Sequence, residues 1–324
     1  MKICFLDNSN IPYTYKDLNS KVIRGAEDVV INLSNELSLL GHDIDIFNNC
    51  IENCVIENVK WHNIRHISKD YIYDIAITNN DIRLFKNISA KKYVAISHSI
   101  QTIEKFIRKG QLFSYLKYKP KIVLLSDYHD RSRNYILKMF GIINLEWAVN
   151  SLFLETKLNN ELVENRAIFT SRSDRNLEIL INIWKEKIYP KNKLIKLYTT
   201  PSNLTDNKFN VFNRNFDQKE KMLEDLLKSK VLLVPGHKGE VYCIAAEEAR
   251  ELCIPIITLG IGSLKERVQH GITGFLAKNA EDFANYTLKL INDQKLWNSM
   301  RNNLIKLRGS KKWNDVATNL LNQI

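Results

Sequence analysis

No stretch of this 324-residue sequence stays apolar for long enough to cross a bilayer. Residues 1–7 form a short apolar run with one lysine, without the apolar core of a secretory signal. Both absences lead to the expectation of a soluble protein that stays in the cytoplasm. Cysteine is scarce, with five residues. Cys50 and Cys54 lie close together, but no second pair and no His-x-x-x-His spacing accompanies them. Neither a disulfide framework nor a zinc site is therefore expected, and free thiols suit a reducing compartment. A long disordered tail is absent too, because charged residues alternate with apolar runs throughout.

Hydrophobic residues make up 44% of the chain, enough with this length for two packed domains. The formal net charge is +11. Such a surface can attract nucleic acid, anionic lipid or phosphorylated substrates. The lysines are scattered among many Asn and Ile residues, a pattern that reads as a solvated surface rather than a dedicated anion-binding face. Nucleic-acid binding would rest on this charge alone and is not expected. Weak peripheral binding to anionic membranes remains compatible with it.

The first half alternates strands and helices. Apolar runs at 2–7, 42–47, 75–78, 93–97 and 122–126 read as strands. Helical spacing covers 27–40, with Val30, Leu33, Leu37 and Leu40 on one face and Gly41 as the stop. Shorter helical patterns lie at 103–109 and 131–140. The pattern lapses over 150–164, a linker, and then starts afresh. Strands are expected at 167–170, 194–198, 231–234 and 254–258, and helices at 177–187, 220–227, 244–252, 281–292 and 294–307. An amphipathic helix closes the chain at 312–324. Strands alternating with helices imply parallel sheets covered on both faces. The expectation is an α/β protein of two Rossmann-like domains, 1–155 and 156–310, with residues 311–324 packing back on the first. Ligands of such sheets bind at the carboxyl ends of the strands, so facing sheets would enclose the site.

The most informative segment runs from Val231 to Leu276: VLLVPGHKGEVYCIAAEEARELCIPIITLGIGSLKERVQHGITGFL. A strand ends at Pro235 and Gly236, a turn carries Lys238 and Gly239, and a helix starts near Tyr242. Free backbone N–H groups at a helix start can cradle an anion. Glu240 precedes the helix and Glu248 lies about two turns along it, roughly 10 Å further. The two carboxylates can thus reach opposite sides of one bound diphosphate.

This Glu-x7-Glu element, with Ile254-Pro255-Ile256-Ile257, Gly262, Glu266, Val268 and Gly271-Ile272-Thr273-Gly274 behind it, resembles the retaining glycosyltransferases of family 4, the glycosyl transferases group 1. The resemblance implies a GT-B fold with a crossover helix at its C-terminal end. It implies that Glu240 binds donor sugar hydroxyls, that Glu248 binds the ribose of a nucleoside diphosphate sugar, and that Val241, Tyr242, Cys243 and Ile244 wrap the donor. Residues 167–184 resemble the strand–loop–helix in which the family places an Arg and a Lys against the diphosphate. Arg172 matches the first. Arg175 stands where the Lys is usual and Asn176 where a Gly is usual, in a shortened loop. A guanidinium suits the task because it grips two phosphate oxygens at once; an ordinary surface arginine pair is the other reading. Arg24-Gly25-Ala26-Glu27 resembles the family's Gly-Gly-x-Glu donor loop with Arg24 in place of the first glycine. Gly25 can still let backbone approach phosphate, and Glu27 reads equally as a favourable charge at a helix start. His98 ends a strand, where related enzymes carry a histidine near the donor sugar; a structural histidine is the alternative.

The resemblance implies transfer of a hexose from a UDP- or GDP-sugar to an acceptor hydroxyl, on a growing glycan, with retention at the anomeric carbon. No cofactor and no metal are expected, since Arg172, Arg175 and the helix start would stabilise the departing diphosphate. Asp43-Ile44-Asp45 spells the D-x-D of another glycosyltransferase fold, but it alternates with Ile44 and Ile46 as a strand does. Two rivals stay open: a nucleotide-sugar epimerase of the same architecture, and a non-catalytic nucleotide-sugar-binding protein.

Overall fold

The computed structural model describes every residue except 19–22, 160, 162, 201, 203 and 215–218. The chain divides into two units, Met1–Ala148 with Lys312–Ile324, and Val149–Lys311.

In the first unit, strands β1 (Lys2–Asp7), β2 (Asp43–Asn48), β3 (Cys54–Ile56), β4 (Val59–Asn63), β5 (Ile72–Asn79), β6 (Ser89–Ile96), β7 (Lys121–Leu124) and β8 (Ile142–Asn144) form one sheet. Their order is β3-β4-β2-β1-β5-β6-β7-β8. Every pair is parallel except β3 with β4. Central strands of such a sheet are covered on both faces, which is why β1 reads as an unbroken apolar run, Ile3 to Leu6, all buried. Helix α1 (Gly25–Leu39) covers part of the sheet with Val29, Val30, Leu33 and Leu37. It ends where the sequence places the stop: Gly41 has φ +84°, its N–H donates to the Ser38 carbonyl at 2.9 Å, and the His42 N–H to Leu37 at 3.2 Å. That pair of bonds is a Schellman closure, which favours glycine at the left-handed position. Two short helices, α2 (Ile103–Arg108) and α3 (Leu112–Tyr118), follow β6.

The D-x-D of β2 is strand patterning. Asp45 is buried and accepts from Tyr73 Oη at 2.9 Å, with His62 Nε2 at 2.9 Å and Lys2 Nζ at 3.4 Å beside it.

The expected helix at 131–140 does not form. Helix α4 (Asp127–Ser132) stops at Arg133, which is extended (φ −79°, ψ 157°), and a 3-10 turn (Tyr135–Met139) follows. Buried Arg133 pairs with Asp130 at 2.7 Å and donates to the Leu137 carbonyl at 3.2 Å. Asn134 accepts from the Ile103 N–H at 2.8 Å. Those side-chain bonds satisfy the local backbone in place of a continued helix. The apolar spacing alone does not reveal them.

The second unit begins at Val149, one residue before the stretch expected as a linker. That stretch holds a short helix, α5 (Ser151–Glu155), and its residues 160 and 162 are outside the described set. Strands β9 (Glu164–Phe169), β10 (Lys196–Thr199), β11 (Val211–Asn213), β12 (Ser229–Leu233), β13 (Ile256–Thr258) and β14 (Gly274–Leu276) form a wholly parallel sheet in the order β11-β10-β9-β12-β13-β14. Helices α6 (Leu177–Ile183), α7 (Lys219–Leu227), α8 (Ile244–Glu251), α9 (Ala280–Asn292) and α10 (Gln294–Leu307) cover it. One core joins Phe169, Leu180, Trp184, Leu232, Ala249, Ile257 and Phe283.

The last helix, α11 (Trp313–Gln323), belongs to the first unit and packs against α1. Trp313 stacks on Trp147 at 6.0 Å, and Lys121 Nζ donates to the Gln323 carbonyl at 2.6 Å. Truncating a buried Trp leaves a cavity that costs about 3 kcal/mol or more. Trp313→Ala should therefore lower the stability of the first unit by that amount, seen as a lower urea midpoint with the slope unchanged; an unaltered midpoint would show that α11 adds nothing to that unit.

Candidate active site

The order of the second sheet reverses between β9 and β12: the chain first builds outward through β10 and β11, then returns to lay β12 on the other side of β9. At such a switch point the loops leaving the two strands diverge and open a crevice at their carboxyl ends. The loop after β9 carries Arg172, Arg175 and Asn176. The loop after β12 carries Gly236, His237, Gly239 and Glu240.

These residues meet. Arg175 Nε lies 3.5 Å from Glu240 Oε2, and Arg175 Nη1 lies 2.9 Å from His237 Nδ1. His237 Nδ1 also accepts the Gly239 N–H at 2.9 Å. With two donors directed at it, Nδ1 carries the lone pair and the proton sits on Nε2, a neutral imidazole. Glu240 is mostly buried, and burial raises its carboxyl above the usual range against the pull of the Arg175 guanidinium. Asn176, standing where glycine is usual in the resembling family, has φ +63° and donates to the Gly236 carbonyl at 2.5 Å. Asparagine tolerates the left-handed region better than other residues with a β-carbon, so the departure keeps the loop's shape. Arg172 differs: its side chain is 76% exposed and, among the described residues, is held only by Asp174 at 2.6 Å. The structure thus brings Arg175 to Glu240 and leaves Arg172 on the surface.

Helix α8 starts at Ile244, after the Glu240 loop. Its N-cap, Cys243, is buried with φ 64° and provides no side-chain cap. A left-handed cysteine stores strain on the order of 1 kcal/mol, and strain of this kind gathers at functional sites. The Ala246 N–H closes on the Cys243 carbonyl at 3.1 Å, and with no side chain capping the turn a helix start of this kind can present backbone N–H groups to an anion. Val241, Tyr242 and Cys243 turn their side chains inward, and Tyr242 lies under the Arg267 guanidinium at 4.5 Å. What this loop offers a ligand is therefore backbone; Ile244 alone among the four is half-exposed. Glu248 is buried in the middle of α8 at 8% exposure. Its neighbour Glu247 is spent on structure, with Arg267 at 3.0 Å, Arg250 at 3.1 Å and Lys311 at 3.3 Å.

In the first unit, Gly25 opens α1 and Glu27 lies buried in the first turn, accepting from Ser9 Oγ at 2.5 Å. His98 follows β6, and its Nε2 lies 3.0 Å from Asn79 Oδ1. Burial, with His129 nearby, pushes the His98 imidazole down to about 4. Asn79 in turn donates to Asp7 at 3.0 Å, which also accepts from Tyr13 Oη at 2.6 Å. Among the described residues, no group of three or more His, Cys, Asp or Glu side chains is arranged to hold a metal ion, and no helix is long and apolar enough to cross a membrane.

Residues 190–307 match the profile of glycosyl transferases group 1. That match covers about a third of the chain and lies wholly within the second unit. The fold is GT-B, shared over nearly the full length with several solved structures. Sucrose-phosphate synthase from Thermosynechococcus elongatus superposes with a TM-score of 0.73 at 13% identity, covering 99% of this chain and 98% of that one. Anabaena HepE, in complex with UDP-glucose, gives 0.72 at 12% identity over 100% of both chains. A glycosyltransferase from Rickettsia africae gives 0.69 at 16% identity, covering 99% of this chain and 97% of that one. No curated protein sequence matches the chain.

Glu240 and Glu248 lie inside the group 1 segment, whereas Arg172 and Arg175 precede it. His237 is the member of the site that sequence reasoning left without a role. The signal that finds it is the strand ending in Pro235-Gly236, which aims the next residue across the switch point. The raised carboxyl of Glu240 has a measurable sign. Unfolded, it ionises at its ordinary value; folded, it holds its proton to higher pH. Its contribution therefore favours the folded state at low pH and is lost as pH rises through the raised value. Glu240→Gln removes the charge and should raise the melting temperature relative to wild type near pH 8, with the gain shrinking towards roughly pH 4. A gain independent of pH would contradict this electrostatic picture.

Proposed function

We propose that the protein is a retaining family 4 glycosyltransferase that moves a hexose from a UDP- or GDP-sugar to an acceptor hydroxyl on a growing glycan. The observation that carries this reading is the Arg175–His237–Glu240 constellation at the switch point of the group 1 unit. Its cation, neutral imidazole and carboxylate, next to an uncapped helix start, provide the groups a sugar diphosphate needs: positive charge and amides for phosphate, a carboxylate for hydroxyls. The neighbour HepE holds UDP-glucose, which supports testing a UDP-sugar first.

In this reading the bond between the anomeric carbon and the diphosphate oxygen breaks while the acceptor oxygen attacks from the same face, and the acceptor proton passes to the departing phosphate. Arg175 is already oriented by its two partners, so little ordering is left to be lost on binding. Arg172, held by one exposed ion pair, swings to the diphosphate at small cost. His98, neutral above pH 5 by its lowered value, serves as a hydrogen-bonding group rather than a proton shuttle. A protein that only binds nucleotide sugars would have the same carboxylates without turnover. An epimerase would return free or isomerised sugar and no glycoside.

The two carboxylates should give different readouts. Glu248→Ala should weaken nucleoside diphosphate binding by about 1.5–3 kcal/mol, the worth of hydrogen bonds to a charged group. Glu240→Gln should leave that affinity nearly unchanged and lower turnover by roughly 100-fold, about 2.7 kcal/mol, because sugar contacts matter most in the transition state. Calorimetry and initial rates separate the two; equal losses of bare-nucleotide affinity would put both residues on the same side of the donor. Turnover should also survive EDTA, since cations and amides supply what a divalent ion would. Complete loss, restored by Mg²⁺ or Mn²⁺, would overturn the metal-free site.

A further inference from the structure

The first unit holds a cavity of about 400 Å³. It lies where the sheet of that unit has its own switch point, at the ends of β1 and β5, because Asn8 follows β1 and Asn80 and Asp81 follow β5. Its floor is already wired. Buried Asp81 accepts from Arg83 Nη2 at 2.6 Å and Nε at 2.9 Å, and from Asn8 Nδ2 at 2.8 Å. Gln111, also buried, donates to Asp81 Oδ1 at 3.3 Å and to the Asn80 carbonyl at 3.1 Å. Arg83 neutralises Asp81, and these bonds hold the acid's carboxylate below its usual range even though burial works the other way.

The remaining lining residues are Arg108 and Lys109, at the end of α2. Neither side chain has a hydrogen-bond or ion-pair partner among the described residues. Three cations thus face one carboxylate, and two of them are uncompensated. A neighbouring group registers this field: the Lys105 ammonium is pushed down to about 8, by burial first and then by Lys109 and Arg108. With the floor held by its own hydrogen bonds, the free cations at the rim form a site for a molecule that carries an oxyanion.

We propose that this cavity binds the anionic part of the acceptor, a phosphate or carboxylate borne on a sugar, with Arg108 and Lys109 as its counter-ions. Calling the guest the acceptor rests on the glycosyltransferase reading; the anion site itself does not.

The test uses the full chain and the double variant Arg108→Gln/Lys109→Gln, whose exposed positions leave the core untouched. Glucose 6-phosphate and glucuronate serve as probes, glucose as the neutral control and UDP as the donor-type anion. Wild type should bind one or both charged sugars more tightly than glucose. The double variant should lose about tenfold of that affinity or more, as loss of charge-assisted bonds implies. The charge-conserving variant Arg108→Lys/Lys109→Arg should retain it. UDP affinity should stay unchanged. Equal binding of the charged sugars by wild type and the Gln double variant, or none by wild type at the highest soluble concentration, overturns the proposal. An equal loss of UDP affinity would also overturn it, since the cations would then belong to the donor. If UDP binds neither protein while the charged sugars behave as stated, the cavity stands and the glycosyltransferase reading falls.

Discussion

The site depends on one close approach of backbone to backbone. The loop that carries Glu240 closes on itself, its Glu240 N–H donating to the His237 carbonyl at 2.9 Å, and is clamped against the segment 261–263, whose Ser263 N–H donates to the Glu240 carbonyl at 3.0 Å. Neither side leaves room for a β-carbon. At Gly236, φ +95°, one would lie 2.6 Å from the Ile261 carbonyl, and at Gly262, φ +74°, 2.8 Å from that of Glu240. Glycine is the residue that permits both the left-handed turn and the contact. The clamp fixes where Glu240 points, and so lets a carboxylate be held where burial disfavours its charge.

From that clamp the rest of the unit follows in order. Parallel pairing of β12 with β9 brings the Glu240 loop beside the Arg175 loop. Asn176 ties the two by its bond to Gly236, and His237, its tautomer fixed by Gly239, orients the guanidinium. Gly239 has no spare room either, since a β-carbon there would sit 3.0 Å from Arg175 Nη1. Stability is given up for position twice over: a carboxyl raised by burial and a cysteine in the left-handed region. Both lie in the same loop, the distribution expected when strain is tolerated for function.

How much of this was legible in the sequence depends on how far apart the partners lie along the chain. The Glu-x7-Glu element was readable because its strand, turn and helix are contiguous. The partnership of Arg175 with His237 was not, because 62 residues separate them and only strand order joins them. Arg172 resembles the family's arginine more closely than Arg175 resembles its lysine, yet the structure places Arg175 at the carboxylate. Strands of three residues such as β3, β8, β11 and β14 leave no periodicity to read. The 131–140 segment misleads because its apolar spacing is real, while the bonds of Arg133 and Asn134 that break the helix involve side chains. The cations of the first unit read as scattered charge in the sequence; Arg83, Arg108 and Lys109 gather only after β1, β5 and α2 converge.

The central claim is that the switch-point constellation binds the nucleoside diphosphate of a sugar donor. Thermal shift with UDP, GDP, ADP and their common sugars, on wild type and on Arg175→Gln, tests it most directly, since a ligand that binds only the folded state raises its melting temperature. The account predicts that one nucleotide family stabilises wild type and that Arg175→Gln loses most of that gain. If no nucleoside diphosphate stabilises wild type, or if Arg175→Gln is stabilised as much as wild type, the constellation is not the donor site.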